Sequence, residues 1–321
     1  MTTVAVPFVR TEASQNPNLS VRTGEDPAEP YMRAMTVAFA SIRRWNPDAK
    51  LELISNVPPE LVHLRNLERV GVEYKSVPFD HRPPSGFTQR FSASLYMLDA
   101  LAASTAEMTV LIDPDVLCID RLNKMLPLPH HAAALKMPFP PNEDINGLTR
   151  AQAGGLHAEL GEPCDSPEHF GGEVYVVPQS QLGVLVERNE AAWALALRRR
   201  AADLPTFTTE EHILSYSLRG LPTQDLAGYV RRIWTTHRYR QVNGKESDLV
   251  LWHLPAEKDR GFRRLYPFAL DRTSWFWQSE RSEFVERSGK AMGFHSRVAS
   301  RFAKDTMGAV VAKLQGMRLE A

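Results

Sequence analysis

Residues 109–120 read TVLIDPDVLCID: an apolar run, then Asp113-Pro114-Asp115, then a second apolar run. A short apolar run of this kind reads as a buried strand. Isolated buried carboxylates are costly unless a cation or several hydrogen-bond donors meet them, so the pair at its end asks for a partner. In an extended segment residues i and i+2 point the same way, which projects Asp113 and Asp115 from one side of the strand end. Pro114 keeps Asp113 extended and withdraws a donor from the ladder, as suits a strand leaving its sheet. Two hard oxygen ligands side by side suit Mg²⁺ or Mn²⁺, which takes few protein carboxylates and fills its remaining positions with phosphate oxygens.

Upstream, VAVPFV (Val4 to Val9) is a first strand, followed by a polar loop to about Pro30 that is long enough to be functional. A helical stripe through Met32, Met35, Phe39 and Ile42 stops at Asn46-Pro47. KLELIS, a short helix closed by Gly71, VEYKSVPF and a helix carrying Phe91, Leu95, Leu98 and Leu101 then lead into the Asp-bearing strand. This strand–helix alternation implies an α/β fold with a mostly parallel, doubly wound sheet that binds ligands at the carboxyl ends of its strands. On that rule Pro7 and Phe8, ending the first strand, join Asp113 and Asp115 on one nucleotide-binding edge.

Downstream come the strand HFGGEVYVV, a long Ala/Arg helix, the acidic segment TTEEHILSYSLRG, and strands and loops with most of the tryptophans. No linker or repeat divides the chain. The tail from Arg281 is basic and helical, with Val298, Phe302, Val310, Val311 and Leu314 on an apolar side. It reads first as a helix packed on the domain and second as a membrane-surface or partner helix. Acidic and basic side chains balance at 38 each in 321 residues, which gives no global field for nucleic acid or an anionic membrane. No uncharged apolar run reaches membrane-spanning length. Cys118 and Cys164 lack metal or redox spacing and fit structural thiols in a reducing cytoplasm. The Ala/Arg-rich style suggests a GC-rich bacterial genome.

TVLIDPDVLCIDRLNKML resembles the DxD segment of nucleotide-sugar-dependent glycosyltransferases of the GT-A fold. HFGGEVYVVPQSQLGVLVE resembles the loop and strand that follow their acceptor loop, although Gly171 or Gly172 stands where the glycogenin-like family eight usually has Asn. TTEEHILSYSLRG resembles the acidic segment of the blood-group and α-galactosyl transferases and of the glycogenin-like enzymes. LWHLPAEKDRGF resembles the segment that supplies a metal-ligand histidine and a phosphate-contacting lysine. The order of all four agrees. The resemblance, over roughly residues 1–265, implies a Rossmann-like sheet flanked by helices; the chain reads as one domain over 1–280, with residues 1–120 as a nucleotide-sugar half and 121–280 as an acceptor half, followed by 281–321 as a basic helical extension.

It also implies site residues. Asp113, Asp115 and His253 would hold the divalent metal, Mn²⁺ or Mg²⁺, while Lys258 and Arg90 add cationic contacts to the diphosphate. The positive charge that develops at the sugar's anomeric carbon calls for a carboxylate, and Glu210 or Glu211 is best placed by motif. The same Thr-Glu-Glu is also an ordinary helix start, with acids favoured by the dipole. The expected donor is a nucleoside diphosphate sugar, UDP being the commonest nucleotide in both resembling families. The expected acceptor is a saccharide or small molecule, and the expected outcome retention.

Two other readings compete. An aspartate-nucleophile phosphatase also opens on an apolar strand ending in DxD, but near its N-terminus. An inactive sugar-nucleotide binding protein would keep the Asp pair and lose the acid. A nicotinamide dehydrogenase lacks its GxGxxG here. His130, His131, His157 and His169 read as loop or core residues. SWFWQ (Ser274 to Gln278) reads as core packing before it reads as a sugar-stacking platform.

Overall fold

The alternation legible in the first third of the chain is realised strand by strand. In the computed structural model, which describes residues 2–10, 26–84, 87 and 91–319, β1 (Thr2–Phe8), α1 (Glu29–Trp45), β2 (Lys50–Ser55), α2 (Leu61–Val70), β3 (Val72–Ser76), α3 (Tyr96–Ala102) and β4 (Met108–Ile112) follow in order. Most of the polar loop after β1 and Arg90 lie outside the described residues. Local chemistry sets the boundaries. The Asn46 N–H closes α1 on Ile42 and Pro47 prevents continuation, while Gly71 caps α2 in the left-handed region at φ 82°.

At Ile112 the chain changes sheets. β5 (Val116–Cys118) does not prolong β4 but starts a second, smaller sheet, so Pro114 and Asp115 form a turn between the two. The expectation of an extended Asp-Pro-Asp is therefore corrected. The two carboxylates converge because the turn folds them onto a common neighbour. Beyond it come β6 (Ala132–Lys136), the hairpin β7 (Asp144–Ile145) and β8 (Leu148–Thr149), α4 (Arg150–Glu159), β9 (Phe170–Pro178), α5 (Gln179–Ala201), α6 (Glu210–Ser217), β10 (Thr223–Asp225), β11 (Val230–Arg232) and β12 (Leu251–His253). The C-terminal part is α7 (Arg263–Leu270), α8 (Trp275–Gln278), α9 (Arg281–Ala291) and α10 (Val298–Leu319).

The main sheet runs β10-β6-β9-β4-β1-β2-β3. Its pairs are parallel except at β9, which is antiparallel to both β4 and β6. β9 is buried along its whole length, which explains its near-continuous apolar run. Val4 and Val6 face a core shared with α1, α7 and α9, whereas Ala5 faces one shared with α3, α5 and α6. Phe276 is fully buried in the first core, so SWFWQ packs the domain.

The tail departs from its simplest expectation. Val298, Phe302 and Val310 on α10 are half exposed, and the helix is anchored instead by polar side chains. Buried Arg301 pairs with Glu257 at 2.9 Å, and Asp305 pairs with Arg260 at 2.8 Å. Among the described residues no helix is long and apolar enough to cross a membrane.

Candidate active site

Strand register brings four chain segments to one point. The Asp113 N–H donates to the Glu173 carbonyl at 3.1 Å, which sets the end of β4 beside the start of β9. In the small sheet His253 pairs with Val116, one residue past Asp115, and Arg232 pairs with His253. Above this junction lies a cleft of about 410 Å³, lined by every site residue expected from the sequence except Arg90: Pro7, Phe8, Asp113, Asp115, Glu210, Glu211, His253 and Lys258.

On one wall the ligand atoms of Asp113, Asp115 and His253 lie within 4.8 Å of one another. His253 Nε2 is 3.2 Å from Asp113 Oδ2 and 3.3 Å from Asp115 Oδ1. Asp115 is completely buried and its Oδ1 accepts no hydrogen bond, while its Oδ2 is ion-paired with Lys258. A buried carboxylate oxygen with no donor, next to a second carboxylate and an imidazole nitrogen, is the donor set that suits a hard divalent cation. The residues therefore fit Mg²⁺ or Mn²⁺. Burial works against the charge of both aspartates with different results. Lys258 and His253 hold Asp115 well below the usual carboxylate range, whereas burial pushes Asp113 up. Lys258 also lies 5.5 Å from the centre of the Tyr31 ring, which itself packs on Phe8 at 5.6 Å.

A second wall of the lining is the first turn of α6. Thr209 sits at its cap position but makes no side-chain capping bond, so capping does not account for the two acids that follow. Glu211 is clamped: its Oε1 accepts from Arg232 Nη2 at 2.7 Å and from the Gly172 N–H at 3.0 Å, and its Oε2 lies 3.2 Å from His169 Nε2. Burial opposes ionisation, yet Arg232 and His169 hold Glu211 well below the usual range. Glu210 is the reverse. Its Oε2 is buried with no hydrogen-bond partner, and no basic side chain pairs with it among the described residues. Burial and then the adjacent Glu211 charge push it up to about 8, which the Ser94 hydroxyl and a backbone N–H offset only in part.

Sequence reasoning missed Glu173, Arg232 and His169. Glu173 is wholly buried, ion-paired with Arg232, and 3.3 Å from His253 Nδ1 through its Oε1. One signal was available: an acid in the middle of HFGGEVYVV, which otherwise reads as a buried strand. The glycines before it have a reason, since a Cβ on Gly171 would overlap the Glu173 carboxylate and one on Gly172 would come within 2.6 Å of Glu210 Oε1. His169, expected in loop or core, is part of the acid wall. His157 is buried between Phe207 and Tyr216, as expected of a core residue.

No family model matches the sequence, and no curated protein matches it significantly. Solved structures do match. The glycosyltransferase GlyE of Streptococcus pneumoniae superposes with a TM-score of 0.51 at 12% identity over 89% of this chain and 63% of its own. The bifunctional glycosyltransferase WbbM gives 0.50 at 12% identity over 89% of this chain and 51% of its own. The fold is that of these glycosyltransferases. The galactosyltransferase LgtC, in complex with donor and acceptor sugar analogues, superposes with a TM-score of 0.49 at 14% identity over 89% of this chain and 95% of its own. The glycosyltransferase fold places the Asp pair at the carboxyl end of β4, the edge where an open α/β sheet binds its ligands.

Proposed function

We propose that the chain is a metal-dependent glycosyltransferase that moves a sugar from a nucleoside diphosphate sugar, with UDP as the nucleotide, to a saccharide or small-molecule acceptor with retention. The observation that carries this reading is that two unlike groups line one cleft, a metal-ligand triad with a lysine and a buried carboxylate with no counter-charge. Breaking a sugar–diphosphate bond leaves negative charge on the diphosphate and positive charge at the anomeric carbon, and the two walls answer these separately.

Asp113, Asp115 and His253 would hold Mg²⁺ or Mn²⁺, and the ion would supply neutralisation of the leaving diphosphate. Lys258 already sits against Asp115 and can turn its ammonium to a diphosphate oxygen. Phe8 and Tyr31, at the end of β1 and the start of α1, offer ring faces for the base. Glu210 faces the sugar as the group that shields or captures the anomeric carbon, a role that needs its ionised form. Its raised affinity for a proton reflects the missing counter-charge, and a cation developing on the sugar would supply that charge. Trp234, partly exposed on the same cleft two residues beyond Arg232, gives an acceptor sugar an apolar face to stack on.

The test is a thermal-shift panel of UDP, GDP, TDP and CMP, each with and without Mn²⁺, on the wild type and on Asp113→Asn. One diphosphate should raise the melting temperature only when Mn²⁺ is present, and the variant should lose that gain. A shift indifferent to metal and variant would remove the metal assignment.

A further inference from the structure

Glu173 is the only acid in β9, and it has no solvent exposure. A carboxylate buried in a central strand is expensive, and breaking its pairing is more expensive still. The surroundings are built around it. Gly171 leaves room that any side chain would fill, Arg232 pairs with it through Nε, and His253 Nδ1 lies 3.3 Å from its Oε1. Arg232 then reaches further, from Nη2 to Glu211 Oε1 at 2.7 Å, and Glu211 Oε2 ends on His169 at 3.2 Å. A single run of charged contacts thus joins the metal-ligand triad to the first turn of α6, although its members come from four distant parts of the chain.

We infer that Glu173 and Arg232 are positioning residues that tie the two walls of the cleft to each other, an inference that rests on the metal reading above. Glu173 Oε1, 3.3 Å from His253 Nδ1 in an ion-pair contact rather than a formed hydrogen bond, is the acceptor placed to take the Nδ1–H. That fixes the imidazole tautomer, so that the Nε2 lone pair is the one presented to a cation shared with Asp113 and Asp115. Arg232 holds Glu173 and Glu211 in one fork. Through Glu211 it sets the first turn of α6, and hence Glu210, at a fixed distance from the metal-ligand wall. The arrangement also explains why the cleft carries two adjacent glutamates: Glu211 is spent on the fork so that Glu210 is free to face the sugar.

The experiment is Mn²⁺ binding to the full chain without nucleotide, read by the EPR signal of free Mn²⁺, on wild type, Asp113→Asn, Glu173→Gln and the double variant Glu173→Gln/Arg232→Gln. The wild type should bind and Asp113→Asn should not; if those two behave alike, the metal reading fails rather than this one. With the metal reading intact, Glu173→Gln should bind Mn²⁺ about 10–100-fold more weakly. Affinity within twofold of wild type, in Glu173→Gln or in the double variant that removes the pair's charges together, overturns the assignment. A second readout needs no variant to fold: in Mg²⁺-loaded, ¹⁵N-histidine-labelled wild type, His253 should carry its proton on Nδ1, and a proton on Nε2 overturns it. For Arg232, the charge-preserving Arg232→Lys cannot fork. It should lower kcat about tenfold or more at unchanged donor KM, while equal changes in both would reduce Arg232 to a structural ion pair.

Discussion

The two acidic pairs of the cleft were set up alike and ended differently. Asp113 with Asp115, and Glu210 with Glu211, each place two carboxylates next to one another on the lining of the cleft, all buried except Asp113, which is partly exposed. In each pair one member is held ionised by cations, Asp115 by Lys258 and His253, Glu211 by Arg232 and His169. The other member is pushed up by burial. The difference is what stands beside that second member. Asp113 has His253 at 3.2 Å, so its charge has an answer before any ligand arrives. Glu210 has none. On the function proposed above, a carboxylate left without a counter-charge would meet the cation that develops on the sugar during transfer.

The largest expected effect comes from breaking the first pair. Asp113→Asn should abolish Mn²⁺-dependent nucleotide binding and with it transfer, a loss of at least about a thousandfold if the ion carries the leaving-group charge. Asp115→Asn is the less informative choice. Asp115 has no exposure and is the partner of Lys258, so its replacement strands a buried ammonium and should cost about 3–5 kcal/mol in stability as well. Measuring the melting temperature of both variants separates the two effects.

Breaking the second pair should give opposite results at adjacent positions. Glu210→Gln should lower turnover by about 10²–10⁴-fold with donor affinity intact, in the range of other positioned acid–base groups. Glu211→Gln should chiefly destabilise, because Arg232 and His169 lose their shared acceptor, by on the order of 3 kcal/mol. If the two variants exchanged phenotypes in kinetics and urea unfolding, the assignment of roles would be reversed.

Proton linkage gives a subtler version of the same contrast. The folded-state affinity of Glu210 for a proton is raised, from the ordinary 4.5 to about 8. Folding therefore takes up a proton at that site: its contribution to stability is complete below the ordinary carboxylate range and is lost as pH rises through about 8. Glu210→Gln has no such proton to lose. The metal-free variant should match or trail wild type near pH 5 and melt at a higher temperature near pH 9. A difference in melting temperature that is independent of pH would show that Glu210 is not the group being titrated.

What could be read in advance divides along the same line. The three strand–helix units and the fourth strand were legible because each segment carries its own period and its own stop, as at Asn46-Pro47 and Gly71. The Asp pair was legible because it interrupts an apolar run. Which of Glu210 and Glu211 is clamped and which is left without a counter-charge was not, since the discriminating contacts come from Gly172 and Arg232, 39 and 21 residues away from Glu211 in the chain. Arg232 itself lies in YVRRIW, where nothing local distinguishes it from Arg231. Its role exists only once β11 pairs with β12 and β12 with β5. Burial of Glu173 was implied by its strand, but its partner, 59 residues on, could not be found from the pattern.

The smallest effect tests whether the freedom of Glu210 is built in by the backbone beside it. Gly172 sits in β9 directly under the first turn of α6, and an added Cβ there would stand 2.6 Å from Glu210 Oε1 and 3.5 Å from Glu211 Cγ. The nearer contact is with the end of a flexible side chain held by no ion pair, only by the Ser94 hydroxyl and a backbone N–H, while the further one meets a clamped one. Gly172→Ala should therefore move Glu210 rather than Glu211, at a cost of about 1–3 kcal/mol typical of overpacking. Because the Gly172 N–H that donates to Glu211 survives the substitution, Arg232, Glu211 and the metal wall should be undisturbed, and Mn²⁺ affinity should equal that of wild type. Turnover should fall about tenfold at unchanged donor affinity, as a displaced carboxylate meets the sugar less well. If Mn²⁺ affinity fell together with turnover, the two walls would be sharing strain through β9, and the separation of their tasks argued from the two acidic pairs would not hold.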